Sequence, residues 1–97
     1  MTPFEEKVYI YVATIPSGRV VSYKQVASAI GHPQAYRAVG NALNKNRSHS
    51  IPCHRVIASN GTLGGYVYGK KKKRVLLRAE GAIDEKGKIM WYARSNK

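Results

Sequence analysis

The residues with the clearest capacity for chemistry lie in one run, Ile51-Pro52-Cys53-His54-Arg55-Val56. A thiol attacks only as its thiolate, so Cys53 needs a base or a positive charge nearby. His54 adjoins it and Arg55 follows. Adjacent residues of an extended chain point to opposite sides. Adjacency therefore does not guarantee a direct Cys53–His54 contact, and a water could carry the proton between them. His54 would then need an acid to orient it and to stabilise imidazolium. The chain has five acids. Glu5 and Glu6 read as first-turn residues of a helix, and Asp84 and Glu85 as part of a turn. Glu80 is left, at the end of a helix anchored by Leu76 and Leu77. On these residues alone two readings stay open. A lone Cys is more often a small buried hydrophobe than a nucleophile, and Cys-His adjacency arises readily by chance.

Composition narrows the partner. The 97 residues suit one domain, near the lower end of what builds its own core, and 43% apolar residues favour a globular chain over a disordered one. Seventeen Lys and Arg against five acids give a formal charge of +12. That excess calls for a polyanion, with nucleic acid ahead of an anionic membrane surface, since no basic amphipathic helix stands out. A basic protein without a specific site has the same composition. One Cys excludes an internal disulfide, and His32, His49 and His54 lack metal-ligand spacing, so neither a metal nor a cofactor is expected. No signal peptide or membrane span is legible. The expected localisation is cytoplasmic, nucleoid-associated in a prokaryote or nuclear in a eukaryote, and the expected state is a monomer.

Several elements must position the run. Thr2-Pro3 followed by Glu5-Glu6 predicts a helix start, with Phe4, Val8, Tyr11, Val12 and Ile15 at helical spacing and a stop at Pro16-Ser17-Gly18. Val20-Val21 reads as extended. Ser22 caps a second helix, Tyr23 to Ile30, with Val26, Ala27 and Ile30 inward. After the turn Gly31-His32-Pro33, a third helix from Gln34 to Asn44 carries Ala35, Ala38, Val39, Ala42 and Leu43. Two short helices joined through a Gly-containing turn match a helix-turn-helix, whose second helix would be the recognition helix; an ordinary helical hairpin fits as well. Residues 45 to 50 read as a loop, and Pro52 makes the Cys53 segment irregular. Arg55-Val56-Ile57 predicts a strand, and Ser59-Asn60-Gly61 a turn. Gly64-Gly65 permits close backbone approach. The basic run Lys70 to Arg74 leads into a last helix ending near Gly81. A hairpin around Glu85-Lys86-Gly87 would return through a strand, Ile89 to Tyr92. The fold class is mainly α with short strands, a winged-helix-like helix-turn-helix domain.

Five motifs in this order resemble the O6-alkylguanine-DNA alkyltransferases, also called methylated-DNA–protein-cysteine methyltransferases. Pro52-Cys53-His54-Arg55-Val56 is similar to their active-site motif. Arg37-Ala38-Val39-Gly40 is similar to their recognition-helix motif, and Ser22-Tyr23 to the start of the preceding helix. Gly64-Gly65-Tyr66 stands where the family has Gly-x-Tyr. Leu76-Leu77-x-x-Glu80-Gly81 is similar to the closing helix. Order and nearly all spacings agree over about residues 4–81.

The resemblance implies direct, stoichiometric and irreversible repair of duplex DNA containing O6-alkylguanine. Cys53 would accept the alkyl group, with His54 as base through water and Glu80 orienting it. Arg37 would fill the gap left by the flipped base. Tyr23 would help rotate the nucleotide and donate to guanine N3. The carbonyls of Cys53 and Val56 would accept from the guanine amino group. Tyr66 would line the pocket, the Val67 N–H would face O6, Leu43 would pack against the base and Asn46 would brace the loop. Extruding a base costs a few kcal/mol, part of which an inserted Arg can offset. Sequence-independent phosphate contacts suit the +12 charge.

The chain departs from the family at four points. The family's usual N-terminal domain, with the zinc ligands some members carry there, has no counterpart in these residues. The Asn46–Cys53 loop is one residue short, with Arg47 where Pro is common. Tyr68 replaces a residue that is often small, which would narrow the pocket. The Lys70–Arg74 run is unusually basic, and the segment after Gly81 has no evident family equivalent. Two alternatives remain. Alkyltransferase-like proteins bind alkylguanine without transfer, but usually hold Trp in place of the Cys. A winged-helix DNA-binding protein would leave Cys53 inert.

Overall fold

A computed structural model describes residues 1–48 and 50–89. Helix α1 spans Pro3–Val12. Strand β1, Val21–Ser22, runs directly into α2, Tyr23–Ala29. Helix α3 is Tyr36–Lys45. A 3₁₀ turn over Cys53–Arg55 enters strand β2, Val56–Ile57, and α4 spans Lys70–Ala79. The domain is mainly helical, with β1 and β2 paired in parallel, Val21 opposite Val56 and Ser22 opposite Ile57.

Capping fixes where the first two helices begin. Thr2 accepts from the Glu5 N–H at 3.1 Å, and Glu5 accepts from the Thr2 N–H at 3.0 Å. Ser22 and Gln25 repeat this reciprocal box at the start of α2. Each box satisfies two N–H groups that a helix start would leave unpaired. Helix α3 lacks a side-chain cap, and begins at Tyr36 rather than at the expected Gln34. Helix α1 ends at Val12, ahead of Pro16, and the strand expected to include Arg55 starts one residue later, because Arg55 closes the 3₁₀ turn.

Strand β2 divides the interior. Successive strand residues face opposite ways, and Val56 joins one apolar cluster while Ile57 joins another. The first cluster packs Val8, Val12 and Ile15 of the N-terminal segment against Val26, Ala27, Val39, Ala42 and Leu43 of the helix pair, with Cys53 at its edge. The second gathers Ile57 and Leu77 with Ala82, Ile83 and Ile89. The segment after Gly81 is thus partly core. It turns back through Asp84, whose carboxylate accepts from the N–H groups of Lys86 and Lys88, and bridges Ile83 to Ile89 antiparallel. The strand expected at Met90 to Tyr92 lies outside the described residues.

Two inward assignments change. Ala38 faces solvent. In α4 the residues on the buried side are Lys73 and Leu77, while Leu76 is only half-buried.

Candidate active site

The 3₁₀ turn that holds Cys53 is built from its own backbone. The Cys53 N–H donates to the Ile51 carbonyl at 2.8 Å, and the Arg55 N–H to the Pro52 carbonyl at 3.0 Å. Pro52 has no N–H to lose, so it enters this tight path at little cost. Cys53 comes out 6% exposed, on the rim of a cavity of about 130 Å³. Asn46, His54, Tyr66, Val67, Tyr68 and Leu76 share its lining.

Asn46, at the end of α3, ties that rim to the preceding loop. Its Nδ2 donates to Cys53 Sγ at 3.0 Å and to the Ser48 carbonyl at 3.0 Å, and its Oδ1 accepts from the Ser48 N–H at 3.0 Å. Burial pushes the Cys53 thiol above its ordinary value, and the Asn46 bond works against that rise.

His54 faces Glu80. Its Nε2 lies 2.9 Å from Glu80 Oε2. Burial holds its pKa below the ordinary value, against the pull of Glu80, so the imidazole is neutral at pH 7. A neutral ring that donates from Nε2 to a carboxylate keeps its lone pair on Nδ1, which is then the basic nitrogen. No direct hydrogen bond joins His54 to Cys53 among the described residues. Any proton passing between them needs a bridging group, although the two residues sit on a 3₁₀ turn rather than in the extended chain whose alternation left their contact unguaranteed.

Arg55 is a site residue that composition and spacing did not single out. It grips Glu80 with two bonds, Nε to Oε1 at 3.0 Å and Nη2 to Oε2 at 2.7 Å, and its Nη1 donates to the Ile15 carbonyl at 2.7 Å. Burial raises the Glu80 carboxyl, but the bonds from Arg55 and His54 outweigh it and hold the group below its ordinary range. Glu80 is therefore a fixed anion shared by two cation-capable groups; it pins the end of α4 to the 3₁₀ turn, which Arg55 ties in turn to Ile15 in the segment after α1.

The second residue missed is Lys73. Within the basic run Lys70–Arg74 it is fully buried, while its basic neighbours are exposed. Its ammonium donates to the Val56 carbonyl at 2.6 Å, to the Gly65 carbonyl at 2.9 Å and to Tyr23 Oη at 3.5 Å. The signal was in the helical spacing: 73, 76, 77 and 80 fall at i, i+3, i+4 and i+7, one face of α4. One lone pair of the Val56 carbonyl, expected to receive a guanine amino group, is already engaged by Lys73.

Tyr23, first residue of α2, donates from its hydroxyl to the Gly65 carbonyl at 3.2 Å. The Gly64-Gly65 turn touches its ring, and a Cβ at Gly64 would sit 2.9 Å from it. Tyr66 stacks edge-on against His54 at 6.2 Å and against Tyr68 at 5.5 Å, and the Tyr68 hydroxyl donates to the Arg47 carbonyl at 3.2 Å. Together these rings keep the cavity small. Leu43 and Val56 lie in the core and do not line it. Arg37 projects from the exposed side of α3. Cys53, His54, Glu80, Asn46, Tyr66 and Val67 are thus brought together, Tyr23 stands behind the glycine turn, and Arg37 is on the outer surface.

Known proteins match this chain in sequence and in fold. Residues 3–82 match the family model described as 6-O-methylguanine DNA methyltransferase, DNA binding domain. A methylated-DNA–protein-cysteine methyltransferase of Shigella flexneri is 49% identical over 83 residues, which are 84% of this chain and 48% of that protein. The crystal structure of Mycobacterium tuberculosis OGT in complex with DNA superposes with a TM-score of 0.79 at 44% identity, covering 82% of this chain and 49% of that one. S. pombe Atl1, in complex with damaged DNA containing O6-carboxymethylguanine, superposes at 0.78 with 30% identity, covering 98% of this chain and 94% of that one. The chain therefore spans about half the length of the methyltransferase relative, and nearly all of Atl1.

Proposed function

We propose, given that the chain belongs to the 6-O-methylguanine DNA methyltransferase family, that it repairs O6-alkylguanine in duplex DNA by moving the alkyl group onto Cys53. The observation that carries this reading is the chemistry of the Cys53 rim. A thiol lies at a cavity edge beside a hydrogen-bond donor, and next to it an imidazole is held by a carboxylate. A structural Cys needs none of these neighbours.

The step balances without a cofactor. His54 takes the thiol proton through water at Nδ1, while Glu80 steadies the imidazolium that forms. Cys53 Sγ forms a bond to the alkyl carbon as the carbon–O6 bond breaks. Tyr23 stabilises the electron pair left on guanine by a hydrogen bond at N3, and guanine takes its proton from solvent, to which His54 returns the thiol proton. A thioether has no route back to the thiol here, so each molecule acts once. DNA is the partner: Arg37 occupies the gap left by the flipped base, and the exposed cations contact phosphates.

A second reading has its own observation. The chain covers Atl1 almost end to end, which suits a protein that binds damage without transfer. Cys53 favours transfer. Intact-mass spectrometry after incubation with an O6-methylguanine duplex separates the two. Transfer predicts a gain of one methyl group on the unmodified protein and none on Cys53→Ala. Tight binding with no mass change would support the sensor.

A further inference from the structure

We propose that Lys73 is a positioning residue that keeps the phenol proton of Tyr23 available to an extrahelical base. This rests on the reading of Tyr23 as a donor to the base, and adds a cation behind it.

Counting donors leads to this role. An ammonium has three N–H groups and no acceptor. Lys73 has three acceptors at hand: the carbonyls of Val56 and Gly65, and Tyr23 Oη. With all three engaged, Tyr23 Oη receives a bond from Lys73, and its own proton points away from the lysine. At rest that proton lies on the Gly65 carbonyl, 3.2 Å away. Gly65 accepts from Lys73 too, so its carbonyl keeps a partner when Tyr23 turns its proton to a base. That lowers the cost of the exchange.

A neutral amine reverses the logic. It has two N–H groups and one lone pair, and the two carbonyls take the N–H groups. The lone pair then accepts the Tyr23 proton, which is lost to the base. No carboxylate pairs with Lys73 among the described residues; Cys53 and His54 of the 3₁₀ turn, Tyr23 of α2 and Lys70 of α4 are the titratable groups around it. Burial brings Lys73 down to about 7. Burial lowers His54 below its ordinary 6.5 and raises Tyr23 and Cys53 above their ordinary 10.0 and 9.0. Lys73 is therefore the member of this set brought to about 7.

The test reads damage discrimination in a Cys53→Ala background, where no alkylation at that position intervenes. Fluorescence anisotropy gives Kd for an O6-methylguanine duplex and for its guanine counterpart, between about pH 6 and about pH 9. Discrimination is expected to fall about tenfold across that range, the scale of one hydrogen bond to the base. Added to that background, Lys73→Met and Tyr23→Phe should each remove both the pH dependence and the discrimination it carries. The two together should be no worse than Tyr23→Phe alone. A pH-dependent fall that survives either substitution overturns the proposal, as does a protein that never discriminates. If circular dichroism shows Lys73→Met unfolded, the Tyr23→Phe profile decides, because it leaves the lysine in place. Failure of the repair reading shows elsewhere, as no mass gain on Cys53, and leaves this profile standing.

Discussion

Asn46 opposes, through a single bond, the rise that burial imposes on the Cys53 thiol. A hydrogen bond to a charged group contributes about 1.5–3 kcal/mol, and the Asn46 donor stabilises the thiolate over the thiol. Asn46→Ala should raise the thiol pKa further and slow capping by iodoacetamide about tenfold or more at neutral pH. An unchanged midpoint in the pH profile of capping would remove Asn46 from the chemistry and leave it a loop brace. Glu80 makes a separate prediction. Its folded pKa lies below its ordinary 4.5. It therefore contributes stability that is fully present above that value and is lost as pH falls through the folded one. Wild type should lose stability relative to Glu80→Gln as the pH drops below about 4.5, read as the difference between their melting temperatures. A difference that stays flat there would show that the ion pairs do not stabilise the fold. Near neutrality the same variant should slow Cys53 capping while remaining folded.

At the scale of elements, the glycine turn supports the site by being small in one place. Gly64 has φ +71°, and a Cβ there would meet the Tyr23 ring and hydroxyl at 2.9 Å. Gly65 has nothing within 4 Å of its Cβ position and an ordinary φ. Gly64→Ala should cost about 1–3 kcal/mol from backbone strain, displace Tyr23 and impair transfer. Gly65→Ala should leave stability within about 0.5 kcal/mol. Chemical denaturation of the pair decides it, and equal losses would contradict the structure. From the sequence the two glycines looked alike, since the collision belongs to α2, about forty residues away. Spacing within the chain did make the helices, the turn between α2 and α3, and the candidate set Cys53, His54 and Glu80 legible, while Tyr23 entered only through the family resemblance. It did not reveal Lys73, because five basic residues in a row read as one solvated block. Only the register of α4, carried back from Leu77, turns the fourth of them inward. Arg55 was missed for a similar reason: its partners, Glu80 and Ile15, are distant in sequence.

Across the whole molecule, the +12 charge predicts DNA binding that weakens steeply with salt. The slope of log affinity against log salt changes by about 0.9 for each phosphate contact. Replacing the exposed Lys71, Lys72 and Arg74 by Gln should make that slope shallower by about 1–3, while Lys73→Met, whose charge is sequestered, should leave it unchanged. Equal effects from both variants would mean that Lys73 reaches phosphate. The second apolar cluster has a different task. Ala82, Ile83 and Ile89 close over Ile57 and Leu77, so residues 82–89 hold α4, and with it Glu80 and Lys73, against β2. Composition could not show this, because the segment has neither periodicity nor length enough to announce a core element.

The central claim is that Cys53 is a single-use alkyl acceptor. Titration of an O6-methylguanine duplex in excess over protein, followed by peptide mapping, tests it directly. A single-use acceptor predicts that guanine restored equals protein added, with every methyl group on the peptide containing Cys53. More guanine restored than protein present, or tight binding with none restored, would contradict it.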